Sequence, residues 1–310
     1  MAEKVIHQNG KSRLHRNTMT DYVLIVICAL IAFVTVYPMW YVICCALSEP
    51  IEVLRGNITF RPIGFTTDSL ALVARNQEMW HAMMMSVFYA SVATVGMLIC
   101  CMLMAYPLTR PNLKCRRLVV IFLVIPMYFS GGLTPTFIIM TKVLKLYNTV
   151  WAVVLPSFIS IFNIILCRTF LASLPQELNE AAFIDGAGNW QVLWRIVLPL
   201  AKPVLAVISI YTIVGNWNAW WNSMLYQTKT YMHPLQMYLQ RLIIQQSVNI
   251  MELAEAGADA DELRNAAQQA LSARQIKFSF IVFVTVPILM IYPMFQKHFV
   301  KGVMLGSLKG

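Results

Sequence analysis

The residues best suited to chemistry form one charged stretch, 173–203, in a chain that is otherwise strongly apolar. Its carboxylates include Glu180 and Asp185, which can pair with basic groups, and Gly186 follows where a glycine can end a helix in the left-handed conformation. Burying Glu180, Asp185 and Arg195 at the centre of a bilayer would cost about 2.5 to 3.5 kcal/mol each. The stretch therefore predicts a polar hairpin that lies outside the membrane and faces something other than lipid.

Two short helices separated by a break are expected in this hairpin. Ser173 and Gln176 have the spacing of a capping box, which predicts a helix that begins there and ends at Gly186. The second helix is expected to be amphipathic, to lie against the membrane or the helix bundle, and to stop at Pro199. Its apolar face is expected to consist of Trp190, Leu193, Trp194, Val197 and Leu198.

Other reactive residue types are not arranged for catalysis. The tripeptide Gly10–Ser12 resembles the end of a phosphate-binding loop, but Val5 stands where the first glycine is required. The chain also lacks the GxSxG nucleophile elbow, and its histidines form no HExxH or i, i+4 pair. We therefore predict no catalytic residue and no metal site. The histidines are His7, His15, His81, His233 and His298.

The composition identifies the environment in which the hairpin is held. Of the 310 residues, 58% are apolar and 12% charged, the mean hydropathy is +0.63, and the net charge is +10. Because soluble domains carry about 25% charged residues, these values exclude a cytosolic enzyme, a disordered protein and a nucleic-acid binder. We predict an all-α membrane protein with six transmembrane helices. The six apolar segments are Tyr22–Leu47, Met83–Leu108, Leu118–Thr141, Val150–Cys167, Val204–Tyr226 and Phe278–Phe295.

The distribution of charge predicts the topology. With both termini on one side, that side carries +9 and the opposite side +1, so the positive-inside rule places both termini in the cytoplasm. The first 21 residues lack the short apolar stretch of a signal peptide, so the first span is expected to be retained. The predicted divisions are a tail (1–21), a first transmembrane helix (22–47), an outer loop (48–82), a transmembrane core (83–296) and a C-terminal tail (297–310).

Two outer loops are long enough to carry function. The first, 48–82, is expected to pack over the outer ends of the helices, and the second is 227–277. Within the second loop, Asp261–Ala273 has leucines and alanines at i, i+3, i+4 spacing and a polar opposite face. This pattern predicts a short amphipathic helix, which could contact a soluble partner or cap a pore.

The charged hairpin also carries a recognisable motif. Glu180-Ala181-Ala182, Gly186 six residues after the glutamate, and then Ile196, Leu198 and Pro199 match every fixed position of the EAA motif. From Met83 onward the chain thus resembles the permeases of type I ABC importers, the MetI-like superfamily. Short sequence segments at 128–132, 217–218 and 301–304 resemble those of the carbohydrate-uptake branch, and within it those of the LplC-type oligosaccharide permeases.

The resemblance implies a MetI-like fold in a bacterial inner or cytoplasmic membrane. It implies a second homologous permease, two ATP-binding subunits and an extracytoplasmic solute-binding protein, which loop 227–277 would contact. ATP and Mg would bind the ATPase, so this chain would not be an enzyme and would hold no cofactor. The residues implied to couple it to the ATPase are Glu180, Ala181, Ala182, Asp185, Gly186, Ile196, Leu198 and Pro199.

Two alternatives remain open at this point. A permease of the same superfamily could carry a solute other than a sugar. An ATP-independent channel or ion-coupled transporter would normally show a charge within the membrane, and here Arg168 lies at the edge of a span.

The substrate path is expected in spans three to five. Asparagine amides and flat rings suit hydroxyl-rich sugars, although tryptophans also gather at membrane interfaces and asparagines bond across helices. The glycines of span three predict a broken helix, which can line a cavity or simply be a packing kink. Uncharged walls suit a neutral sugar, while Arg168 or a partner-subunit group could serve an acidic one. The candidates are Tyr128, Ser130, Gly131, Asn163, Asn216, Trp217 and Asn218.

Overall fold

A computed structural model describes residues 19–129, 131–242, 276–291 and 293 of the chain. Throughout this part the chain forms helices and turns and no strand, which confirms the predicted all-α class. The helices are α1 Met19–Ala46, α2 Pro50–Arg55, α3 Asp68–Arg75, α4 Gln77–Ala105, α5 Arg116–Tyr128, α6 Leu133–Ile138, α7 Trp151–Val154, α8 Ile161–Ala172, α9 Glu177–Ile184, α10 Asn189–Val192, α11 Leu198–Leu200, α12 Lys202–Trp217, α13 Trp221–Tyr226, α14 235–242 and α15 Ile276–Ile291. Short 3₁₀ turns occupy Pro107–Thr109, Leu155–Phe158 and Thr230–Met232, and π turns occupy Ile139–Val143 and Leu193–Val197.

Three described helical segments are long and apolar enough to cross a membrane, namely α1, Gln77–Thr109 and Trp151–Ala172. Two further segments pass the same test as bent pairs. One joins Arg116–Tyr128 to Leu133–Val143 at 111°, and the other joins Asn189–Leu200 to α12 at 76°. Helix α15 is shorter, and the sixth predicted span continues from it beyond the described residues.

The second membrane-length helix begins six residues earlier than the sequence predicts, at Gln77 instead of Met83. Its start is fixed by Asn76, whose side-chain oxygen accepts a hydrogen bond from the backbone N–H of Met79 at 3.1 Å. Such a cap satisfies one of the N–H groups that a helix start leaves without a partner. The methionine-rich sequence after it gives no composition change that would mark this start.

Helix α4 lies at the centre of the described bundle and packs against α8, α12 and the turn Leu155–Phe158. Its buried face includes Met97 and Cys101, which share one apolar cluster with Ile164 of α8 and Ile208 of α12. Gly96 allows the close approach of Phe158, because a Cβ atom at Gly96 would lie 2.4 Å from the phenylalanine ring. Movement of α4 would therefore displace several helices together.

The charged hairpin consists of α9 and the kinked segment from α10 to α11. Two predicted boundaries are wrong. Ser173 ends α8, and its hydroxyl donates to the Phe170 carbonyl at 2.7 Å, so α9 begins at Glu177 without the predicted capping box. The second helix continues through Pro199 and bends after Leu200. The π turn Leu193–Val197 lies just before the proline and already interrupts the regular i→i−4 bonds that a proline would otherwise break.

The loop 48–82 folds back on the last turns of α1, as expected for a loop that packs over helix ends. Val53 and Ile58 are buried with Cys44 and Cys45. The Ser279 hydroxyl at the start of α15 donates to the Ser69 hydroxyl of α3 at 2.9 Å. The loop therefore connects α1 to α15. The amphipathic helix predicted at 261–273 lies outside the described residues.

Candidate functional site

Helix α9 has two faces of different character. Glu177, Glu180 and Ala181 are exposed on one face, together with Ile184, whose surface is 86% exposed. Asp185 follows directly and is also exposed. Among the described residues none of these carboxylates forms a salt bridge, so their charge is available to basic groups of another protein. The exposed face therefore combines negative charge with one large apolar side chain.

The opposite face of α9 packs against its own chain. Ala182 is 7% exposed and belongs to the cluster that contains Tyr106 and Val192. The sequence interpretation, which presented Ala182 to a partner together with Ala181, is therefore wrong for Ala182. The reason is the helical rotation between consecutive residues, about 100°, which places neighbouring alanines on different faces.

The turn after α9 has the geometry that the sequence predicts. Gly186 has φ = +80°, and the N–H of Ala187 donates to the Ala182 carbonyl at 2.9 Å. This pairing across the left-handed residue is the Schellman motif, which satisfies a carbonyl at the helix end. Gly186 therefore both ends α9 and aims the chain into α10.

The buried face of the second arm, α10 to α11, consists of partly different residues from those predicted. Leu193 and Val197 are buried as expected, and Ile196 and Leu198 pack against the same cluster. Trp190 and Trp194, however, are 64% and 49% exposed. Packing against α4 and α8 centres the buried face near Val192, which leaves both indoles at its exposed edge. Pro199 is exposed as well.

Arg110 joins the hairpin to the segment that follows α4. Its guanidinium lies 4.4 Å from the centre of the Tyr106 ring and 5.2 Å from that of Phe183 on α9. One guanidinium nitrogen donates to the Tyr106 hydroxyl and, at 3.2 Å, to the side-chain oxygen of Asn179. The Tyr106 hydroxyl in turn donates to the Asn189 carbonyl at 3.4 Å. Sequence reasoning missed the contacts of Arg110 with the hairpin, because Asn179 and Phe183 lie about 70 positions further along the chain.

A cavity of about 760 Å³ opens beside this contact, between the loop after α4 and the hairpin. Its walls are partly polar and include side chains of both the loop and the hairpin. Among them are Arg110, Asn112, Gln176, Asn179, Glu180 and Trp190.

Two of the substrate candidates are packed inside the chain. Trp217 is 2% exposed, in a cluster with Met79, Leu235 and Phe280, and its indole N–H has no partner among the residues that the structure describes. Asn163 is 7% exposed. In this structure both occupy packing positions, since membrane-depth tryptophan and asparagine can fill a helix interface as well as a transport path.

Asn216 is half-buried and joins two elements. Its side-chain oxygen accepts from the Ser157 hydroxyl at 2.8 Å, and its amide donates to the Thr212 carbonyl at 2.8 Å. This geometry corresponds to the interhelical bonding that the sequence left open as an alternative.

The remaining substrate candidates lie at the surface of the described chain. Tyr128 is 77% exposed at the end of α5, and Gly131 is also exposed. The helix is broken between Tyr128 and Leu133, as predicted, and Gly132 there has φ = +87°. Asn218 is exposed at the end of α12, whereas Ser130 lies outside the described residues.

A buried polar network, which sequence reasoning missed, holds the segment after α13 against α4. The Gln227 amide donates to the Tyr89 hydroxyl at 2.9 Å, and that hydroxyl donates to the Met232 carbonyl at 2.8 Å. His233 is 3% exposed, with Nε2 3.2 Å from the Gln227 carbonyl, while Nδ1 has no partner within the described part of the chain. Burial lowers the pKa of His233 below its ordinary 6.5, the hydrogen bond to the Gln227 carbonyl opposes this shift, and the charge of Arg241 acts in the same direction as burial. Burial therefore favours the neutral imidazole.

Metal chemistry receives no support from the part of the chain that the structure describes. It contains no group of three or more histidine, cysteine, aspartate or glutamate side chains placed to hold an ion.

Comparison with known proteins gives one consistent set of relatives. Residues 97–305 match the family described as the binding-protein-dependent transport system inner membrane component. Protein LplC of Bacillus subtilis (strain 168) is 36% identical over 278 residues, which cover 89% of this chain and 90% of LplC. The polygalacturonan/rhamnogalacturonan transport system permease protein YtcP of the same strain is 32% identical, over 95% of this chain and 100% of YtcP.

A solved structure shares the fold over most of its length. A chain of a bacterial ABC transporter involved in the import of the acidic polysaccharide alginate aligns with a TM-score of 0.78 at 25% identity. The alignment covers 91% of this chain and 99% of that chain.

Proposed function

Because this chain belongs to the family of binding-protein-dependent transport system inner membrane components, it is a permease subunit of an ABC importer, and we propose that it carries a sugar or oligosaccharide. The proposal of cargo is supported by YtcP, whose name refers to polygalacturonan and rhamnogalacturonan transport, and by the solved structure, whose description refers to alginate import. Since alginate is described as acidic, the cargo panel must include acidic as well as neutral oligosaccharides.

We propose that the exposed face of α9 docks on an ATP-hydrolysing subunit. The observation that carries this role is a helix with two different faces. One face has the 86% exposed Ile184 beside carboxylates that form no salt bridge among the described residues, and the other face packs in its own core. A flexible loop could bind such a partner but could not transmit its movement. Movement of the ATPase would instead displace α9 as a rigid unit and rock the helices attached to it.

The proposed topology has six transmembrane helices, with both termini and the hairpin 173–203 in the cytoplasm. It is supported by the charge distribution of the sequence, +9 against +1. The proposed complex, in a bacterial cytoplasmic membrane, contains a second homologous permease, two ATP-binding subunits and an extracytoplasmic solute-binding protein. ATP and Mg would bind the ATP-binding subunits, and loop 227–277 would contact the solute-binding protein.

For the substrate path we retain the exposed positions Tyr128, Gly131 and Asn218, with Asn216 at its edge. A break at membrane depth is tolerated where it lines a cavity, which supports placing Gly131 there. Trp217 and Asn163 would support this wall from behind, because both are buried in the described chain.

The docking proposal is tested by reversing one charge on the exposed face of α9. In the complex reconstituted in liposomes, Glu180→Lys should release the ATPase during purification and reduce binding-protein-dependent uptake at least tenfold. Glu78→Lys makes the same change in the first turn of α4 and should retain both the ATPase and uptake. Full uptake by Glu180→Lys would contradict the docking role. Uptake of labelled neutral and acidic oligosaccharides by the wild type tests the cargo, and failure to import any of them would refute it.

A further inference from the structure

The hairpin has covalent connections to two helices of the bundle and none to the third. It follows α8 through the short segment 173–176, and it leads into α12 through the bend at Ala201. Helix α4, which packs against both, is connected to the hairpin only through side chains. Any force on the hairpin must therefore cross a non-covalent contact before it reaches α4.

Arg110 provides a directional contact of this kind. Its guanidinium lies near two aromatic rings, Tyr106 on its own side and Phe183 on α9, and it bonds to Asn179. Through the Tyr106 hydroxyl the same group reaches the Asn189 carbonyl, at the start of the second arm. Both arms of the hairpin are thus fixed to the end of α4. The apolar contacts nearby, such as those of Ala182, have no comparable directionality.

The choice of a neutral partner for Arg110 has a consequence for docking. Glu180 follows Asn179 and lines the same cavity, yet among the described residues it forms no salt bridge with Arg110. An amide at position 179 accepts the hydrogen bond without adding charge. The carboxylate of Glu180 therefore remains available to a partner while Arg110 holds the helix from behind.

We propose that Arg110 is a positioning residue that transmits displacement of the coupling hairpin to α4. The inference rests on the proposed docking of α9 on an ATPase. Without the guanidinium, the ATPase would still bind the exposed face and hydrolyse ATP. Movement of the hairpin would then be passed to α8 and α12 but less fully to α4, and less cargo would be moved for each ATP.

The measurement is cargo imported per ATP hydrolysed by the complete complex in liposomes, with the binding protein present. Arg110→Ala should retain the ATPase and at least half of the hydrolysis rate, while the ratio of cargo to ATP falls at least threefold. Arg110→Lys keeps the charge but loses the planar stacking group, so its ratio should be intermediate. Arg117→Ala removes an exposed arginine from the first turn of α5 and should keep the wild-type ratio.

Two milder variants cover the case in which Arg110→Ala does not assemble. Tyr106→Phe removes the hydroxyl that reaches Asn189, and Asn179→Ala removes the acceptor on α9; each should lower the ratio by a smaller factor. A wild-type ratio of cargo to ATP in Arg110→Ala would overturn the proposal. If Arg110→Ala does not assemble, a wild-type ratio in both milder variants would overturn it. A loss in Arg110→Ala that Arg110→Lys does not partly restore would also overturn it. Failure of the proposed function itself would look different, since the wild type would then neither retain an ATPase nor import cargo.

Discussion

The turn that ends α9, the first helix of the charged hairpin, gives a prediction that separates backbone strain from crowding. Gly186 has φ = +80°, whereas Gly188, two residues later, has φ = −75° and ψ = 163°. Apart from its chain neighbours, a Cβ atom at either glycine would meet no atom of the described residues within 4 Å. Replacing each with serine therefore adds the same group to equally open space, and the two variants differ mainly in backbone conformation.

The size of the effect follows from that difference. An L-residue in the left-handed conformation costs about 1–2 kcal/mol, and only position 186 requires it. Both substitutions also restrict the unfolded chain by a similar amount, so this contribution largely cancels between them. Serine at position 188, the N-cap of α10, is also a favourable cap. Gly186→Ser should therefore destabilise the hairpin by about 1–2 kcal/mol relative to Gly188→Ser, a factor of roughly 5–30 in its population.

Hydrogen exchange of the Ala187 amide reports this population, because that N–H donates across the turn to the Ala182 carbonyl. In the purified complex the amide should exchange about 5–30 times faster in Gly186→Ser than in Gly188→Ser. Gly186→Asn should be intermediate, since asparagine tolerates the left-handed conformation better. Equal exchange rates in the two serine variants would refute the strain argument.

Two further predictions concern packing and pH. Ala182→Leu should overpack the cluster around Tyr106 and lower the free energy of unfolding by about 1–3 kcal/mol. Ala181→Leu, on the exposed face, should change that free energy by less than about 0.5 kcal/mol. Thermal unfolding in detergent measures both variants, and equal losses would contradict the burial of Ala182. Because burial lowers the pKa of His233, its contribution to stability should be complete above about pH 6.5 and decrease as the pH falls. His233→Gln should reduce this loss between pH 7 and 5 in the same thermal assay, and an unchanged pH dependence would contradict the assignment.

The hairpin illustrates which features the sequence could predict. Gly186 and the break after Tyr128 were predictable because local backbone requirements select glycine at such positions. The family was predictable because the motif spacing is specific. The start of α9 was not, since Ser173 serves the end of the preceding helix instead. In that case two local signals compete for one residue, and tertiary packing decides between them.

The contacts of Arg110 and Trp217 could not be predicted from the sequence. Arg110 meets Asn179 across 69 positions of sequence, and no local pattern encodes such a pairing. Trp217 stands among polar residues typical of a sugar site or an interface, but the structure buries it against Met79 and Phe280. Composition indicates what a residue can do, whereas its neighbours in the fold determine which of those roles is available.

The two alanines of the EAA motif show the same principle within one helical turn. Both are small, and the sequence alone suggests one shared reason, close approach to a partner. The structure separates them: Ala181 is exposed beside Glu180, while Ala182 is buried where α9 packs against its own chain. In the proposed docking, the small residue on each side would let a different neighbour approach α9 closely. Displacement of the partner would then pass through α9 to the core of this chain.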